Sequence, residues 1–173
     1  MKSNSSRQLI TLGQSIWLDY IRRDLITSGG LRRLIEEDGL RGMTSNPSIF
    51  EKAIAESQCY GDDIRTLTLK GNSAKQIYEA LSQCDVQSAA DEFRSVYEMT
   101  DGIDGYVSLE VNPHLAHDTN GTIQEARRLW NALDRPNVFI KVPATPEGLP
   151  AIRHLITEGI NVNVTLLLSL IHI

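Results

Sequence analysis

The sequence predicts an α/β fold in which parallel strands alternate with helices and close into a barrel. Three observations support this prediction: five short segments of β-type composition, helical patterns between them, and polar side chains on one alternate residue set of every segment. The 173 residues are 41% hydrophobic and 23% charged, which is an ordinary globular composition, so one domain is expected.

The elements follow one another as βα units. The predicted strands are residues 15–20, 40–45, 105–111, 137–142 and 161–168. The predicted helices are residues 31–38, 46–57, 62–70, 73–83, 86–102, 121–134 and 146–159. Asn46 and Ser73 are expected to be N-caps, and Pro47 suits a first helical position. The connection over residues 143–160 has the length of one crossover helix between parallel neighbours.

One face of the predicted sheet is polar. Alternate residues of a strand point to opposite sides, and the polar alternate sets contain Asp19, Thr44, Asn46, Glu110, Lys141, Asn163 and Thr165. Helices cover both faces of a doubly wound parallel sheet, which leaves no place for such residues, and no GxGxxG motif is present. A barrel has such a place, because its active site lies at the carboxyl ends of the strands.

Lys141 is the most informative of these residues, since it interrupts the apolar segment NVFIKVPAT, residues 137–145. Burying a charged amine is costly. A desolvated lysine can supply a neutral amine that attacks a carbonyl and forms a Schiff base. The alternative is a structural lysine that reaches water or pairs with Glu110 or Asp19.

The other polar residues have both functional and structural interpretations. Asp19 and Glu110 would act as general base and general acid, one of them through a water, or would only neutralise the lysine. Asn46, Asn163 and Thr165 would hold substrate hydroxyls, or would make ordinary buried hydrogen bonds.

Composition argues against several classes of partner. The net charge is −5 and no Lys- or Arg-rich block occurs, so nucleic acid is not expected. The sequence has no apolar run of ~18 residues and no signal-type start, so no membrane partner is expected and the protein is predicted to be cytoplasmic. Cys59 and Cys84 lack metal spacing and are expected to be reduced. In NPHLAHD, the residues His114, His117 and Asp118 favour a rim loop over a metal site.

Four segments together resemble the transaldolase family, and they occur in the family's order. They are GMTSNPSIFEKAI (42–54), VSLEVNP (107–113), VFIKVPAT (138–145) and GINVNVTLLLS (159–169). The likeness runs from about residue 7 to residue 169, and it is closest to the longer bacterial form, which also occurs fused to a phosphoglucose isomerase. The resemblance implies a (β/α)8 TIM barrel of the class I aldolase type that uses no metal and no organic cofactor.

The resemblance also implies an activity of the pentose phosphate pathway. A dihydroxyacetone unit would move from sedoheptulose 7-phosphate to glyceraldehyde 3-phosphate, giving erythrose 4-phosphate and fructose 6-phosphate. Lys141 would be the Schiff-base lysine and Asp19 would handle the proton of the C4 hydroxyl. Glu110 would act through a water that Thr165 helps to hold. The residues implied to bind or line the dihydroxyacetone unit are Asn46, Asn163 and Thr44.

The sequence supplies only five predicted strands, whereas a complete barrel has eight strands and about 250 residues. Residues 1–173 are therefore expected to form a partial barrel truncated to about the first five strands, without roughly the last three βα units. We expect little or no transaldolase activity from this chain alone. The alternatives are another Schiff-base sugar-phosphate aldolase and a catalytically inactive barrel fragment that acts only in binding.

Overall fold

The computed structural model describes residues 5–167, and within this range five strands form one sheet in the order β1-β2-β3-β4-β5. The strands are β1 Trp17–Asp19, β2 Gly42–Thr44, β3 Tyr106–Glu110, β4 Val138–Pro143 and β5 Val162–Thr165. β1 is parallel to β2, and β4 is parallel to β5. Each strand lies beside its neighbours in sequence, as in a barrel, whereas a doubly wound sheet reverses its order at a switch point. The predicted fold class is therefore confirmed.

Helices connect the strands. They are α1 Ser5–Thr11, α2 Arg23–Thr27, α3 Gly30–Asp38, α4 Pro47–Glu56, α5 Gly61–Leu69, α6 Ala74–Met99, α7 Thr119–Leu133 and α8 Gly148–Thr157. Short 3-10 turns cover Gln58–Tyr60 and Pro113–Leu115. Among residues 5–167, no helix combines the length and the apolar character that crossing a bilayer requires.

The predicted helix starts are confirmed at two positions. The Asn46 side chain accepts a hydrogen bond from the Ile49 N–H at 3.0 Å, and Pro47 is the first residue of α4. Ser73 and Gln76 form a reciprocal capping box at the start of α6.

One prediction about the helices was wrong, and two short helices were not predicted. Residues 73–83 and 86–102 were expected to be separate helices, but α6 runs unbroken through residues 84 and 85. The buried Asp85 carboxylate bonds to side chains of other elements instead of ending the helix. The helices α1 and α2 were not predicted, because each is short and has little sequence periodicity.

Four of the five strands are shorter than predicted, whereas β4 has the predicted length and lies one residue later. β5 ends at Thr165 because Leu166 has a φ of 62°, outside the range of an extended strand. Residue 168, the predicted end of this strand, lies outside the described residues.

The chain divides into two compact units, the first ending at Val107 and the second starting at Ser108. The core of the first unit contains the buried side chains of Ile21, Met43, Phe50, Tyr60 and Phe93. Gly42 is required in β2 because a Cβ at this position would lie 2.3 Å from the Trp17 ring of β1.

The second unit is built around β4. One alternate set of β4 residues is completely buried, as predicted for a face covered by helices: Val138, Ile140 and Val142. α7 and α8 supply the buried residues Ala126, Leu133, Ala151 and Leu155. The apolar set of β5 is not covered in this way, since Val164 is 36% exposed and no helix follows β5 before Leu167, the last described residue.

A buried polar cluster joins helices of the first unit. The Asp85 carboxylate accepts hydrogen bonds from the Tyr60 hydroxyl and from Arg23 Nε, each at 2.7 Å. The Tyr60 hydroxyl in turn accepts from the Arg23 N–H at 3.1 Å, and the guanidinium carbon lies 4.5 Å from the Tyr60 ring centre. Burial raises the pKa of the Asp85 carboxyl, which Tyr60 and Arg23 partly oppose. Because a buried carboxylate without partners is costly, the cluster stabilises the fold only while Asp85 keeps its hydrogen bonds to Tyr60 and Arg23.

Replacing Tyr60 with phenylalanine should lower the free energy of unfolding by about 1–3 kcal/mol, because Asp85 and the Arg23 N–H both lose a buried partner. Urea unfolding measures the change. The matched control is Tyr20→Phe, at a position 38% exposed, where we expect a change within about 0.5 kcal/mol. Equal losses in the two variants would contradict the structural role of the cluster.

Candidate functional site

Lys141 occupies the middle of β4, and the alternation of the strand determines its surroundings. Its neighbours Ile140 and Val142 point to the helix-covered side and are completely buried. Lys141 points to the opposite side, where its side chain is only 13% exposed. The lysine is thus withdrawn from water by the strand that carries it, and a desolvated amine is the state that carbonyl chemistry needs.

Glu110 is the last residue of β3 and lies beside Lys141. Its Oε2 is 3.9 Å from the Lys141 Nζ, and the glutamate side chain is 20% exposed. The backbone fixes this proximity, because the Val111 N–H donates to the Lys141 carbonyl at 3.1 Å. The structure therefore brings together the predicted amine and one of the two predicted carboxylates.

Burial raises the pKa of the Glu110 carboxyl, and the positive charge of Lys141 opposes this shift without cancelling it. A carboxyl with a raised pKa retains its proton closer to neutral pH than an exposed glutamate. Such a group can donate a proton and take it back, as a general acid and base must.

Asn163 and Thr165 lie on β5, which pairs with β4, the strand that carries Lys141. In the parallel register Lys141 pairs with Asn163, and Pro143 pairs with Thr165. The Asn163 Nδ2 donates to the Ser108 Oγ at 3.0 Å. The Thr165 hydroxyl is buried and has no hydrogen-bond partner among the described residues, which leaves it able to bind a water or a substrate group.

Sequence reasoning did not include Ser108 among the site residues. It lies on β3 in the same alternate set as Glu110 and is completely buried. By accepting from the Asn163 amide nitrogen, it fixes the orientation of that side chain. The period of two that identified Glu110 also identifies Ser108, so the signal was present in the sequence.

In the first unit, Asp19 and Thr44 end β1 and β2 and are register partners. The Asp19 residue is exposed, and the Thr44 hydroxyl is buried without a partner among the described residues. Two predicted site residues therefore lie side by side at the carboxyl end of this strand pair, the end at which barrel enzymes place their chemistry.

Asn46 follows β2 and has a structural role in addition to its predicted one. Its Oδ1 accepts from the Ile49 N–H at the start of α4. The cap uses the oxygen of the side chain, and its Nδ2 remains a possible donor to a substrate hydroxyl. The structural and functional interpretations of Asn46 are therefore compatible.

The loop after β3 contains the three residues for which a metal site was considered. The Asp118 Oδ1 caps α7 by accepting from the Gly121 N–H at 2.9 Å, and the His117 Nδ1 lies 3.2 Å from the Glu147 Oε2. Within residues 5–167, no group of three or more His, Cys, Asp or Glu side chains is arranged to hold a metal ion.

Comparisons with known proteins agree with the motifs. The family profile described as Transaldolase/Fructose-6-phosphate aldolase matches residues 16–173. The transaldolase of Thiobacillus denitrificans is 51% identical over 167 residues, which are 96% of this chain and 46% of that protein. The transaldolases of Trichodesmium erythraeum and Thermobifida fusca are also 51% identical, over 98% and 95% of this chain and over 44% and 45% of their own lengths. The chain thus spans a little under half the length of these curated relatives.

Glu110→Gln should change how stability depends on pH. Because the folded state raises the pKa of Glu110 above its ordinary 4.5, the folded protein binds more protons than the unfolded chain as pH rises from 4.5 to the shifted value. The free energy of unfolding contributed by Glu110 therefore falls with rising pH over this interval. In urea unfolding between about pH 4 and pH 7, the wild-type value minus the variant value should decrease.

An increase of that difference with pH would contradict the sign, since it would mean that attraction to Lys141 outweighs the cost of burial. Glu51→Gln, at an exposed position of α4, is the control for the general effect of removing one carboxylate.

Variants of Asn46 separate its two roles. Asn46→Asp keeps an oxygen for the Ile49 N–H, so the thermal midpoint should change little, whereas Asn46→Ala should cost about 1 kcal/mol through loss of the cap. Both variants lose the amide donor, so each should weaken binding of a ligand whose hydroxyl accepts from the Asn46 Nδ2. Ser73→Ala removes the cap of α6 and is the matched control, with a stability loss and no binding loss. Unchanged binding in Asn46→Asp would exclude a substrate role for the amide.

Proposed function

The chain belongs to the Transaldolase/Fructose-6-phosphate aldolase family, and we propose that it supplies the Schiff-base centre of a transaldolase. The family matches confirm the resemblance predicted from the four motifs. The proposed reaction moves a dihydroxyacetone unit from sedoheptulose 7-phosphate to glyceraldehyde 3-phosphate, which yields erythrose 4-phosphate and fructose 6-phosphate.

The observation that carries this proposal is the pair formed by Lys141 and Glu110. A lysine that is 13% exposed, with a partly buried carboxylate 3.9 Å from its amine, has the components that imine formation requires. An ion pair with only a structural purpose would not need neighbouring hydroxyl and amide groups. Asn163 and Thr165 lie on the adjacent strand in register with the lysine segment.

The first proposed step joins the ketose to Lys141. The Nζ attacks the C2 carbonyl to give a carbinolamine, and loss of water leaves an iminium ion. Glu110 supplies the proton that departs with this water and later accepts a proton from the water that hydrolyses the imine. The raised pKa of its carboxyl favours this exchange. The unpartnered hydroxyl of Thr165 is suited to hold the water.

Carbon–carbon cleavage follows. Asp19 removes the proton from the C4 hydroxyl, the C3–C4 bond breaks, and its electron pair moves into the iminium to give an enamine. Holding the enamine until an acceptor aldehyde arrives makes the reaction a transfer. Support for Asp19 comes from the family resemblance and from its place at the carboxyl end of β1. The residues proposed to hold the dihydroxyacetone hydroxyls are Asn46, Asn163 and Thr44.

A second candidate is simple cleavage of fructose 6-phosphate, because the matching family profile also carries the name of that aldolase. An assay with and without an acceptor aldehyde separates the two activities. Without the acceptor, a transaldolase releases no more than one equivalent of aldehyde per chain and retains the dihydroxyacetone unit, whereas an aldolase turns over and releases free dihydroxyacetone. A folded chain that forms no adduct with a ketose would instead be the catalytically inactive fragment considered from the sequence.

The setting of this activity is also a proposal. The chain is assigned to one partial barrel domain, on the basis of its strand order and the greater length of its relatives. The proposed partners are the four sugar phosphates of the reaction. The cytoplasm is the proposed compartment, because Cys59 and Cys84 are both free and exposed, as is usual in reducing surroundings.

Lys141→Met should abolish the adduct that borohydride traps in the presence of fructose 6-phosphate, because the variant has no amine to form the imine. Intact mass and peptide mapping measure the adduct and its position. The control is Lys70→Met, which removes a lysine at an exposed position next to α5 and should leave trapping unchanged. An adduct that persists in Lys141→Met would contradict the assignment.

A further inference from the structure

Two loops of the second unit are tied together next to the Schiff-base candidate. The first, residues 111–118, follows β3 and the second, residues 144–147, follows β4; we call them the rim loops. β3 ends at Glu110 and β4 carries Lys141, so each rim loop continues a strand that holds one partner of the pair. The spacing of the two loops therefore influences the spacing of the pair.

Thr145 makes the central contact between the rim loops. Its hydroxyl donates to the Ala116 carbonyl at 2.5 Å and accepts from the Gly148 N–H at 2.9 Å. The first bond connects the two loops, and the second anchors the threonine to the start of α8. One hydroxyl thus connects the loop after β3, the loop after β4 and the helix that follows.

Residues near Thr145 permit and reinforce this contact. A Cβ at Gly148 would lie 1.9 Å from the Pro143 carbonyl oxygen and 2.9 Å from the Thr145 Oγ1, so only glycine allows the helix to start this close. Thr119 adds a second tie at the start of α7 by donating from its hydroxyl to the Glu147 carbonyl at 2.7 Å. The His117 and Glu147 side chains add an exposed pair.

We propose that Thr145 is a positioning residue that holds the rim loops together and so keeps Lys141 beside Glu110. This role rests on the proposed function, in which that pair forms and hydrolyses the imine. Thr145 lies four residues after Lys141, and Ala116 lies six residues after Glu110. The hydrogen bond between Thr145 and Ala116 therefore links the ends of β3 and β4 close to the pair. Misplacement of reacting groups by about 1 Å can cost a hundredfold in rate, which gives such a tie a chemical consequence.

A zero-length crosslink tests the positioning without any sugar. A water-soluble carbodiimide activates the Glu110 carboxylate, the Lys141 amine displaces the activated oxygen, and the reagent leaves as a urea. The product is an isopeptide between the two side chains, which peptide mapping quantifies. We expect the crosslink in the wild-type chain and a yield about fivefold lower in Thr145→Val, because the local opening separates the pair.

Two further variants serve as controls. Thr145→Ser keeps the hydroxyl and should stay within about twofold of the wild-type yield. Thr157→Val removes an exposed hydrogen bond of a threonine hydroxyl at the other end of α8, and its crosslink yield should also stay within about twofold of the wild-type yield. Circular dichroism confirms folding, and if Thr145→Val does not fold, Thr119→Val takes its place with a smaller loss in the same direction. Absence of the crosslink in the wild type would overturn the proposal. So would a crosslink yield in folded Thr145→Val, or in the Thr119→Val that replaces it, equal to that of the wild type.

Borohydride trapping of fructose 6-phosphate then separates this inference from the proposed function. If both hold, Thr145→Val forms the Lys141 adduct about tenfold more slowly and Thr145→Ser forms it at the wild-type rate. A wild-type chain that forms no adduct but shows the Thr145-dependent crosslink contradicts the proposed chemistry and leaves the positioning role intact.

Discussion

The contact between Lys141 and Glu110 is the constraint on which the rest of the site depends. An amine with 13% exposure is costly to bury, and a carboxylate 3.9 Å away offsets part of that cost. The parallel strands β3 and β4 hold the two side chains in place through their backbones. The roles proposed for the neighbouring hydroxyl and amide groups depend on the fixed position of this pair.

The first unit contains another buried ion pair, and the difference between the two is instructive. The Asp85 carboxylate accepts bonds from both Tyr60 and Arg23, so its oxygens are satisfied within the fold. Glu110 has a looser contact with Lys141, and the hydroxyl of Thr165 on β5 is buried with no partner among the described residues. A carboxylate whose oxygens are both satisfied within the fold has a structural role, whereas a buried hydroxyl without a partner can bind a water or a ligand group.

The sequence was sufficient to predict the five strands and the alternation of polar and apolar residues along them, because a period of two is a local property of each strand. Asn46 was also predicted as a helix cap, since capping depends on a few adjacent residues. The continuity of α6 was not predicted: a polar residue such as Asp85 breaks the helical pattern unless its distant partners are known. The Asn163–Ser108 bond joins residues 55 apart in sequence, and the alternation that marks Ser108 does not reveal its partner. Contacts of this kind follow from packing, which local patterns do not encode.

The exchange of the ketone oxygen of fructose 6-phosphate with water tests the central claim most directly. Each cycle of imine formation and hydrolysis at Lys141 replaces that oxygen with one from solvent, with or without carbon–carbon cleavage. In water enriched in oxygen-18, mass spectrometry should show label entering the sugar faster than the spontaneous rate with the wild-type chain, and at the spontaneous rate with a chain that lacks the Lys141 amine. Equal incorporation with and without that amine, in folded samples, would contradict the account.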